Sequence, residues 1–126
     1  PRLKTDFFKI VESTINQNLD QLNIEWFSDK CLSIVQCSIG YPSTYKNNKE
    51  IRKLNNIILK NDEFIFHAGT KIEKNKIFSN GGRVLNFVAK SNSFKNSRKM
   101  AIDLIKKVNW KDGFYRKDIG YKVINK

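Results

Sequence analysis

The first apolar pattern along the chain has the spacing of an amphipathic helix. Apolar side chains recur at intervals of three and four residues from Leu3, and polar side chains fill the intervals. This spacing predicts a helix over residues 3–19. A second pattern of this kind follows Ser93, a residue type favoured at helix N-caps, and predicts a second helix. The apolar face of the second helix is predicted to contain Phe94, Ala101, Leu104, Ile105 and Val108.

Between the two helices the pattern changes to short apolar runs bounded by Gly, Asn, Asp and Pro, which is typical of β-strands. The segments 71–78 and 83–90 flank the sequence Ser-Asn-Gly-Gly at 79–82, and we predict a hairpin with a Gly-Gly turn. The polar stretch 43–53 is predicted to be a loop. Short strands with a helix at each end indicate an α+β fold rather than a parallel doubly wound sheet. Further strands are predicted over 31–39, 57–59, 64–67 and 121–124.

The composition gives a strong positive charge: 24 Lys and Arg residues outnumber 12 Asp and Glu residues, and the net charge is +12. A basic surface can attract nucleic acid, anionic lipid or phosphorylated small molecules. The alternative is compositional, since the 19 Lys, 15 Asn and 15 Ile residues all have A/T-rich codons. The lysines are scattered singly, which favours the compositional explanation and argues against a basic nucleic-acid-binding tail.

Cysteine and histidine usage excludes several classes of protein. Cys31 and Cys37 would share one face of a strand but lie too far apart along it for an easy disulfide, so we predict reduced thiols in a cytoplasmic protein. One histidine and no Cys-x-x-Cys motif argue against a structural zinc site. No apolar run approaches the roughly 20 residues of a membrane span, and no signal-peptide pattern is present.

Two glycine-containing segments are the strongest candidates for binding chemistry: His-Ala-Gly-Thr at 67–70 and Asn-Gly-Gly-Arg at 80–83. Glycine lets backbone N–H groups approach an anion closely, Thr70 can add a hydroxyl, and the forked guanidinium of Arg83 suits phosphate. If the strands form a meander, both segments border one site. The alternative is that the glycines only form turns and that Arg83 is solvated. His67 is interpreted as a half-buried histidine rather than a catalyst, and no catalytic residues are predicted.

Five strings, present in one order, resemble the carboxy-terminal part of the glycinamide ribonucleotide synthetase (phosphoribosylamine–glycine ligase) family over residues 2–123. They are Arg-Leu-Lys-Thr-Asp at 2–6, Gly-Tyr-Pro at 40–42, Phe-His-Ala-Gly-Thr at 66–70, Gly-Gly-Arg-Val-Leu-Asn at 81–86 and Tyr-Arg-Lys-Asp-Ile-Gly at 115–120. The resemblance implies an ATP-grasp ligase of de novo purine synthesis. In this family ATP phosphorylates glycine, and the amine of 5-phosphoribosylamine attacks the glycyl phosphate.

The resemblance also implies that the chain is a piece of a larger enzyme, with Pro1 as an excised start. ATP and Mg²⁺ or Mn²⁺ would be bound by the upstream ATP-grasp and amino-terminal domains, so the fragment alone is expected to be inactive. Residues 1–25 would form the tail helix of the ATP-grasp domain. Residues 26–126 would form the substrate-side domain, a small antiparallel β assembly with a packed helix, similar to the last domain of biotin carboxylase. The intact enzyme is expected to be a cytoplasmic monomer without nucleic-acid or membrane partners.

By similarity with ligases that act on the same ribonucleotides, Gly69, Thr70, Gly82 and Arg83 would contact the sugar phosphate of phosphoribosylamine. Lys4 is a further candidate because it would lie beside the family's acidic metal-binding segment. No metal ligand is assigned to this chain, and Arg116 and Asp118 are expected to form an ion pair. The alternative function is a basic nucleic-acid-binding module, in which lysines act with exposed aromatic rings. The rings considered for stacking are those of Phe64, Phe66, Phe78, Phe87 and Tyr115.

Overall fold

A computed structural model describes residues 1–124 of the chain. Within these residues the helices are α1 (Phe7–Ile15), α2 (Phe94–Val108) and α3 (Tyr121–Ile124). The strands are β1 (Lys30–Ser38), β2 (Glu63–His67), β3 (Thr70–Glu73), β4 (Lys76–Ser79), β5 (Arg83–Ser91) and β6 (Gly113–Phe114). This mixture of antiparallel strands and one long helix confirms the predicted α+β class.

The main sheet has the strand order β2–β5–β1–β6, and all its pairings are antiparallel. Ile34 of β1 lies opposite Phe87 of β5, and both side chains are buried. The helix α2 packs across these two central strands. Because side chains alternate between the faces of a strand, every second residue of β1 and β5 faces α2 and forms the core. The opposite face of the sheet is not covered by α2.

The helix α2 begins after Ser93, as the sequence predicts, and its predicted apolar face extends to its last residue, Val108. Its N-cap Ser93 accepts a hydrogen bond from the Asn96 N–H, and its C-cap Asn109 has a left-handed backbone with a φ of 47°. On its buried face, Ser97 is fully buried and donates a 2.6 Å hydrogen bond to the Lys30 carbonyl. Among residues 1–124, no helix combines the length and the apolarity that a membrane span requires.

The predicted hairpin with a Gly-Gly turn is wrong. The strands β3 and β4 form a separate two-stranded sheet, joined by Lys74 and Asn75. Both of these residues have positive φ values, 48° and 61°, as a tight primed hairpin turn requires. The Gly81-Gly82 pair instead connects this small sheet to β5 in the main sheet. Sequence reasoning placed the turn at the glycines because the true turn contains none.

Two short predicted strands are also wrong. The segment 57–59 is unpaired and follows a 3₁₀ turn over Leu54–Asn56, and Ile58 is 88% exposed. The segment 121–124 is the short helix α3, in which the N–H groups of Val123 and Ile124 donate to the Gly120 carbonyl. Apolar runs of three or four residues are too short for periodicity to distinguish a strand from a turn of helix.

The predicted first helix is present but shorter than residues 3–19. It begins after Asp6, whose carboxylate accepts a 2.9 Å hydrogen bond from the Phe8 N–H, and it ends before Gln17, which has a φ of 56°. None of its side chains is buried, and Phe7 and Ile15 are 67% and 74% exposed. The apolar face that the pattern predicts is therefore present but uncovered within residues 1–124.

Candidate functional site: a cleft beside two glycine segments

The two glycine-containing segments lie side by side and are tied together by backbone hydrogen bonds. The N–H groups of Ala68 and Gly69 donate to the carbonyls of Val84 and Arg83, at 3.0 and 2.9 Å. The Asn80 N–H donates in return to the Gly69 carbonyl at 2.8 Å. One segment links β2 to β3 and the other links β4 to β5. The hydrogen bonds therefore join the two connections through which the chain passes between its two sheets.

A cleft of about 700 Å³ opens beside these segments. Its floor contains Val35 and Asn86, which are partners in the β1–β5 register. Both alternate along their strands with buried core residues, so the cleft lies on the sheet face opposite α2. The rings of Tyr41 and Tyr45 form one wall, with their centroids 6.1 Å apart. The remaining lining residues are Ala68, Gly69, Gly82 and Arg83.

Close packing explains why glycine occupies positions 69 and 82. A Cβ at Gly69 would lie 2.6 Å from the Arg83 carbonyl oxygen, and a Cβ at Gly82 would lie 2.1 Å from Cδ2 of Tyr41. The second glycine therefore allows the Tyr41 ring to rest directly on the backbone of the cleft. Sequence reasoning attributed these glycines to the approach of an anion and missed the tyrosine that packs against one of them.

Arg83 differs from the other four arginines of the chain, all of which have protein acceptors. Within residues 1–124, its guanidinium makes no hydrogen bond and has no carboxylate at salt-bridge distance. The N–H groups of Gly81 and Gly82 likewise donate to no acceptor in this part of the chain. The cleft thus presents a positive charge from Arg83, and the Gly82 N–H in its lining is without an acceptor in residues 1–124, a combination that suits an anion. The other arginines interact with the Phe27 carbonyl (Arg2), Glu50 (Arg52), the Ile119 and Lys117 carbonyls (Arg98) and Asp118 (Arg116).

The two other predicted site residues lie outside the lining of the cleft. Thr70 follows Gly69 directly, and its hydroxyl lies 2.8 Å from Nδ1 of His67. The ammonium of Lys4 lies 2.8 Å from the carboxylate of Glu25 and holds the pKa of that carboxyl below its ordinary value. Three of the five predicted residues, Gly69, Gly82 and Arg83, therefore share the cleft.

Both cysteines are free thiols, as predicted. Cys37 is buried, and burial raises the pKa of its thiol, although the nearby charge of Arg83 opposes this shift. The expected ion pair between Arg116 and Asp118 is present on the surface, where the hydrogen bond from Arg116 lowers the pKa of Asp118. Within residues 1–124, no group of three His, Cys, Asp or Glu side chains is arranged to hold a metal ion.

The aromatic rings considered for nucleic-acid stacking differ in exposure: Phe66 is 45% exposed, and the other four are partly or fully buried. Phe87 is completely buried in the core beneath α2. Phe64 and Phe66 stack on each other, with ring centroids 6.0 Å apart and planes within 3°. Because successive bases stack on several accessible ring faces and only one of the five rings is exposed, the structure gives no support to the nucleic-acid-binding alternative.

The fold and the cleft define a small α+β domain with an antiparallel sheet, one packed helix and an anion-compatible site on the open face of the sheet. Residues 31–122 match the family model described as "Phosphoribosylglycinamide synthetase, C domain", and the chain belongs to this family. The resemblance predicted from the five strings is therefore confirmed.

Known relatives agree with this assignment. The phosphoribosylamine–glycine ligase of Caldanaerobacter subterraneus subsp. tengcongensis is 40% identical over 119 residues, which cover 94% of this chain and 28% of that protein. The bifunctional purine biosynthetic protein purD of Dictyostelium discoideum is 38% identical over 126 residues, covering 99% of this chain and 16% of that protein. The crystal structure of the Thermotoga maritima phosphoribosylamine–glycine ligase is similar with a TM-score of 0.66 and 26% identity, covering 87% of this chain and 27% of that one. The chain spans less than a third of the length of these relatives.

Proposed function

We propose that the chain is the carboxy-terminal part of a phosphoribosylamine–glycine ligase of purine biosynthesis. In the intact enzyme, ATP would phosphorylate the glycine carboxylate and release ADP. The amine of 5-phosphoribosylamine would then attack the glycyl phosphate, forming the amide bond and releasing phosphate. The family match and the names of the relatives support this assignment of the reaction.

Within that enzyme, the cleft would bind the sugar phosphate of phosphoribosylamine. The observation that carries this assignment is the guanidinium of Arg83 next to Gly82 in the cleft lining, since neither the guanidinium nor the Gly82 N–H has an acceptor within residues 1–124. A guanidinium forms charge-assisted, forked hydrogen bonds with phosphate oxygens, and backbone N–H groups complete such a site. Thr70 would add its hydroxyl from the position next to Gly69.

ATP and Mg²⁺ would be bound by the ATP-grasp and amino-terminal parts of the intact enzyme. These parts would correspond to the regions of the relatives that this chain does not cover. We also propose that residues 1–25 are the tail helix of the ATP-grasp domain and that residues 26–126 are the substrate-side domain. The uncovered apolar face of α1 supports this division, because an amphipathic helix is stable when that face packs against a partner. The proposed location is cytoplasmic and the proposed state is a monomer.

Lys4 remains a weaker candidate ligand within this proposal. Its ammonium already pairs with Glu25, so binding a substrate phosphate would require that pair to open. Both side chains of the pair are about half exposed, and exposed pairs of this kind contribute little to stability. The pairing therefore opposes a role for Lys4 in substrate binding only weakly.

The substitution Arg83→Ala in the intact enzyme tests the proposed site. Hydrogen bonds to charged groups contribute about 1.5–3 kcal/mol, so kcat/KM for phosphoribosylamine should fall by about 10- to 150-fold. The KM values for ATP and glycine should not change. The measurement is glycine-dependent ADP formation at varied phosphoribosylamine concentration.

Arg52→Ala is the matched control for this experiment. Arg52 has the same side chain but is 82% exposed and pairs with Glu50 outside the cleft, so its removal should leave all three KM values unchanged. Arg83→Lys should fall between the wild type and Arg83→Ala, because it keeps the charge and loses the fork. If Arg83→Ala leaves the KM for phosphoribosylamine unchanged, Arg83 is not a ligand of the sugar phosphate.

A further inference from the structure

We propose that Asn86 determines specificity for the ribose part of the substrate, by binding its vicinal 2- and 3-hydroxyls while Arg83 binds the phosphate. This inference rests on the proposed function, because it assigns a second ligand to the same cleft. Asn86 lies in the floor of the cleft, which Gly82 and Arg83 also line. The reaction proposed above gives Asn86 no role.

The pairing of β5 with β1 brings Asn86 and Arg83 to one face of the sheet. Three positions separate them, so a regular strand would direct their side chains to opposite faces. The register shifts between Gln36 and Cys37, however, which leaves one residue of β5 without a partner. Arg83 consequently lies opposite Cys37, and Asn86 lies opposite Val35. Because these two partners are two residues apart on β1, they share the face away from α2, and the positions opposite them are about 7 Å apart.

The Asn86 amide is a polar group that no contact within the domain explains. Asparagine is depleted in β-strands, and the neighbours Leu85, Phe87 and Val88 are buried apolar residues. Within residues 1–124 the half-buried side-chain amide of Asn86 makes no hydrogen bond. A residue that departs from the local pattern without a compensating bond in the fold is typical of a functional site.

The chemistry of the amide suits a vicinal diol. Its oxygen accepts hydrogen bonds and its nitrogen donates them, and a hydroxyl can do either. One ribose hydroxyl can therefore donate to Asn86 while its neighbour accepts from the same side chain. A sugar phosphate carries these hydroxyls several bonds from its phosphorus, so a single molecule can reach Asn86 and Arg83 together.

The binding of ribose 5-phosphate and 2-deoxyribose 5-phosphate to the intact enzyme tests this role by isothermal titration calorimetry. The wild type should bind the deoxy sugar about 2- to 12-fold more weakly, which is the range for one hydrogen bond between uncharged groups. In Asn86→Val the ratio of the two Kd values should fall to about one. In Arg83→Ala both Kd values should rise by the same factor, because the two sugars share the phosphate.

Ser33→Val is the matched control. Ser33 is an exposed polar residue on the same face of β1 as Val35 and lies outside the lining of the cleft, so its replacement should leave both Kd values unchanged. Asn86→Val should also keep or raise the midpoint of urea unfolding, because valine is favoured in strands and no protein hydrogen bond is lost. A lower midpoint for Asn86→Val would indicate a structural role and overturn the inference. A ratio near one in the wild type, an unchanged ratio in Asn86→Val or an equal loss of discrimination in Ser33→Val would do the same.

The outcome with Arg83→Ala distinguishes failure of this inference from failure of the proposed function. If Arg83→Ala weakens the binding of both sugars while Asn86→Val leaves their ratio unchanged, the phosphate site stands and the role of Asn86 is wrong. If neither variant changes either Kd, the proposed sugar-phosphate site is wrong and the role of Asn86 fails with it.

Discussion

The contact between Gly82 and Tyr41 makes Gly82→Ala a sensitive test of the cleft geometry. The new Cβ would lie 2.1 Å from Cδ2, 2.6 Å from Cε2 and 3.1 Å from Cγ of the tyrosine ring. Carbon atoms that are not bonded to each other are normally about 3.5–4.0 Å apart. The ring must therefore move by about 1.5 Å. Rotation of the ring about its own axis displaces Cδ2 and Cε2 but leaves Cγ at 3.1 Å from the new Cβ, which is still too close.

The expected cost follows from overpacking, which typically destabilises by about 1–3 kcal/mol. Gly81→Ala is the matched control, because a Cβ there meets its nearest atom, Cα of Gly69, at 3.3 Å. Neither Gly81 nor Gly82 has a positive φ, so alanine adds no backbone strain at either position. Gly81→Ala should thus change the free energy of unfolding by no more than about 0.5 kcal/mol, while Gly82→Ala should lose several times as much.

Urea denaturation followed by far-ultraviolet circular dichroism measures both variants. Adding Tyr41→Ala to Gly82→Ala should recover part of the loss, with a coupling free energy of about 1 kcal/mol or more between the two positions. Equal losses for Gly81→Ala and Gly82→Ala, or a coupling energy near zero, would refute the packing of the ring on this glycine. In the intact enzyme, Gly82→Ala should also raise the KM for phosphoribosylamine, since the displaced ring forms a wall of the cleft.

Three further predictions concern the core, a buried hydroxyl and an ion pair. Leu104→Ala, at a fully buried position of α2, should lower the free energy of unfolding by about 2–5 kcal/mol in urea titrations. Ser97→Ala removes the buried hydroxyl that donates to the Lys30 carbonyl and should cost about 0.5–1.5 kcal/mol in the same assay, the usual net value of a hydrogen bond; an unchanged free energy of unfolding contradicts it. Because Arg116 lowers the pKa of Asp118, the pair stabilises the fold above the ordinary carboxyl pKa, and this stabilisation is lost as pH falls through the lowered value. Arg116→Met should raise the pKa of Asp118 toward its ordinary value in a carboxyl NMR titration, and no change would argue against the pair.

The elements that could be predicted are those in which several signals agree over a long stretch. For α2, a helical period over fifteen residues coincides with a serine N-cap, and the structure has both features. The strands β1 and β5 are long apolar runs at the centre of the main sheet, where burial reinforces β-propensity. The errors occur where the local signal is short or where tertiary contacts decide the structure, as in the unpaired segment 57–59 and the helix α3.

The candidate site likewise contains some residues that could be predicted from the sequence and others that could not. Gly69, Gly82 and Arg83 could be found from the sequence because their residue types have distinctive backbone freedom or charge. Tyr41 could not be recognised as part of the cleft, because it comes from a turn some forty residues away and reaches Gly82 only through tertiary packing. The contact between His67 and Thr70 was equally hidden, since the sequence does not show which side-chain atoms at the ends of β2 and β3 come within hydrogen-bond distance.

The structure also bears on the net charge of +12, because it shows which of the positive side chains have carboxylate partners. Several lysines have carboxylate partners on the surface, among them Lys49, Lys71 and Lys76. Such pairs contribute little to stability and are screened by salt, so they neither define a site nor exclude one. What distinguishes Arg83 is the absence of a protein partner within residues 1–124, combined with a position in the cleft lining next to Gly82. A scattered positive charge attracts anions of every kind to the surface, whereas the role proposed for Arg83 requires its guanidinium to select one anion by the geometry of forked hydrogen bonds.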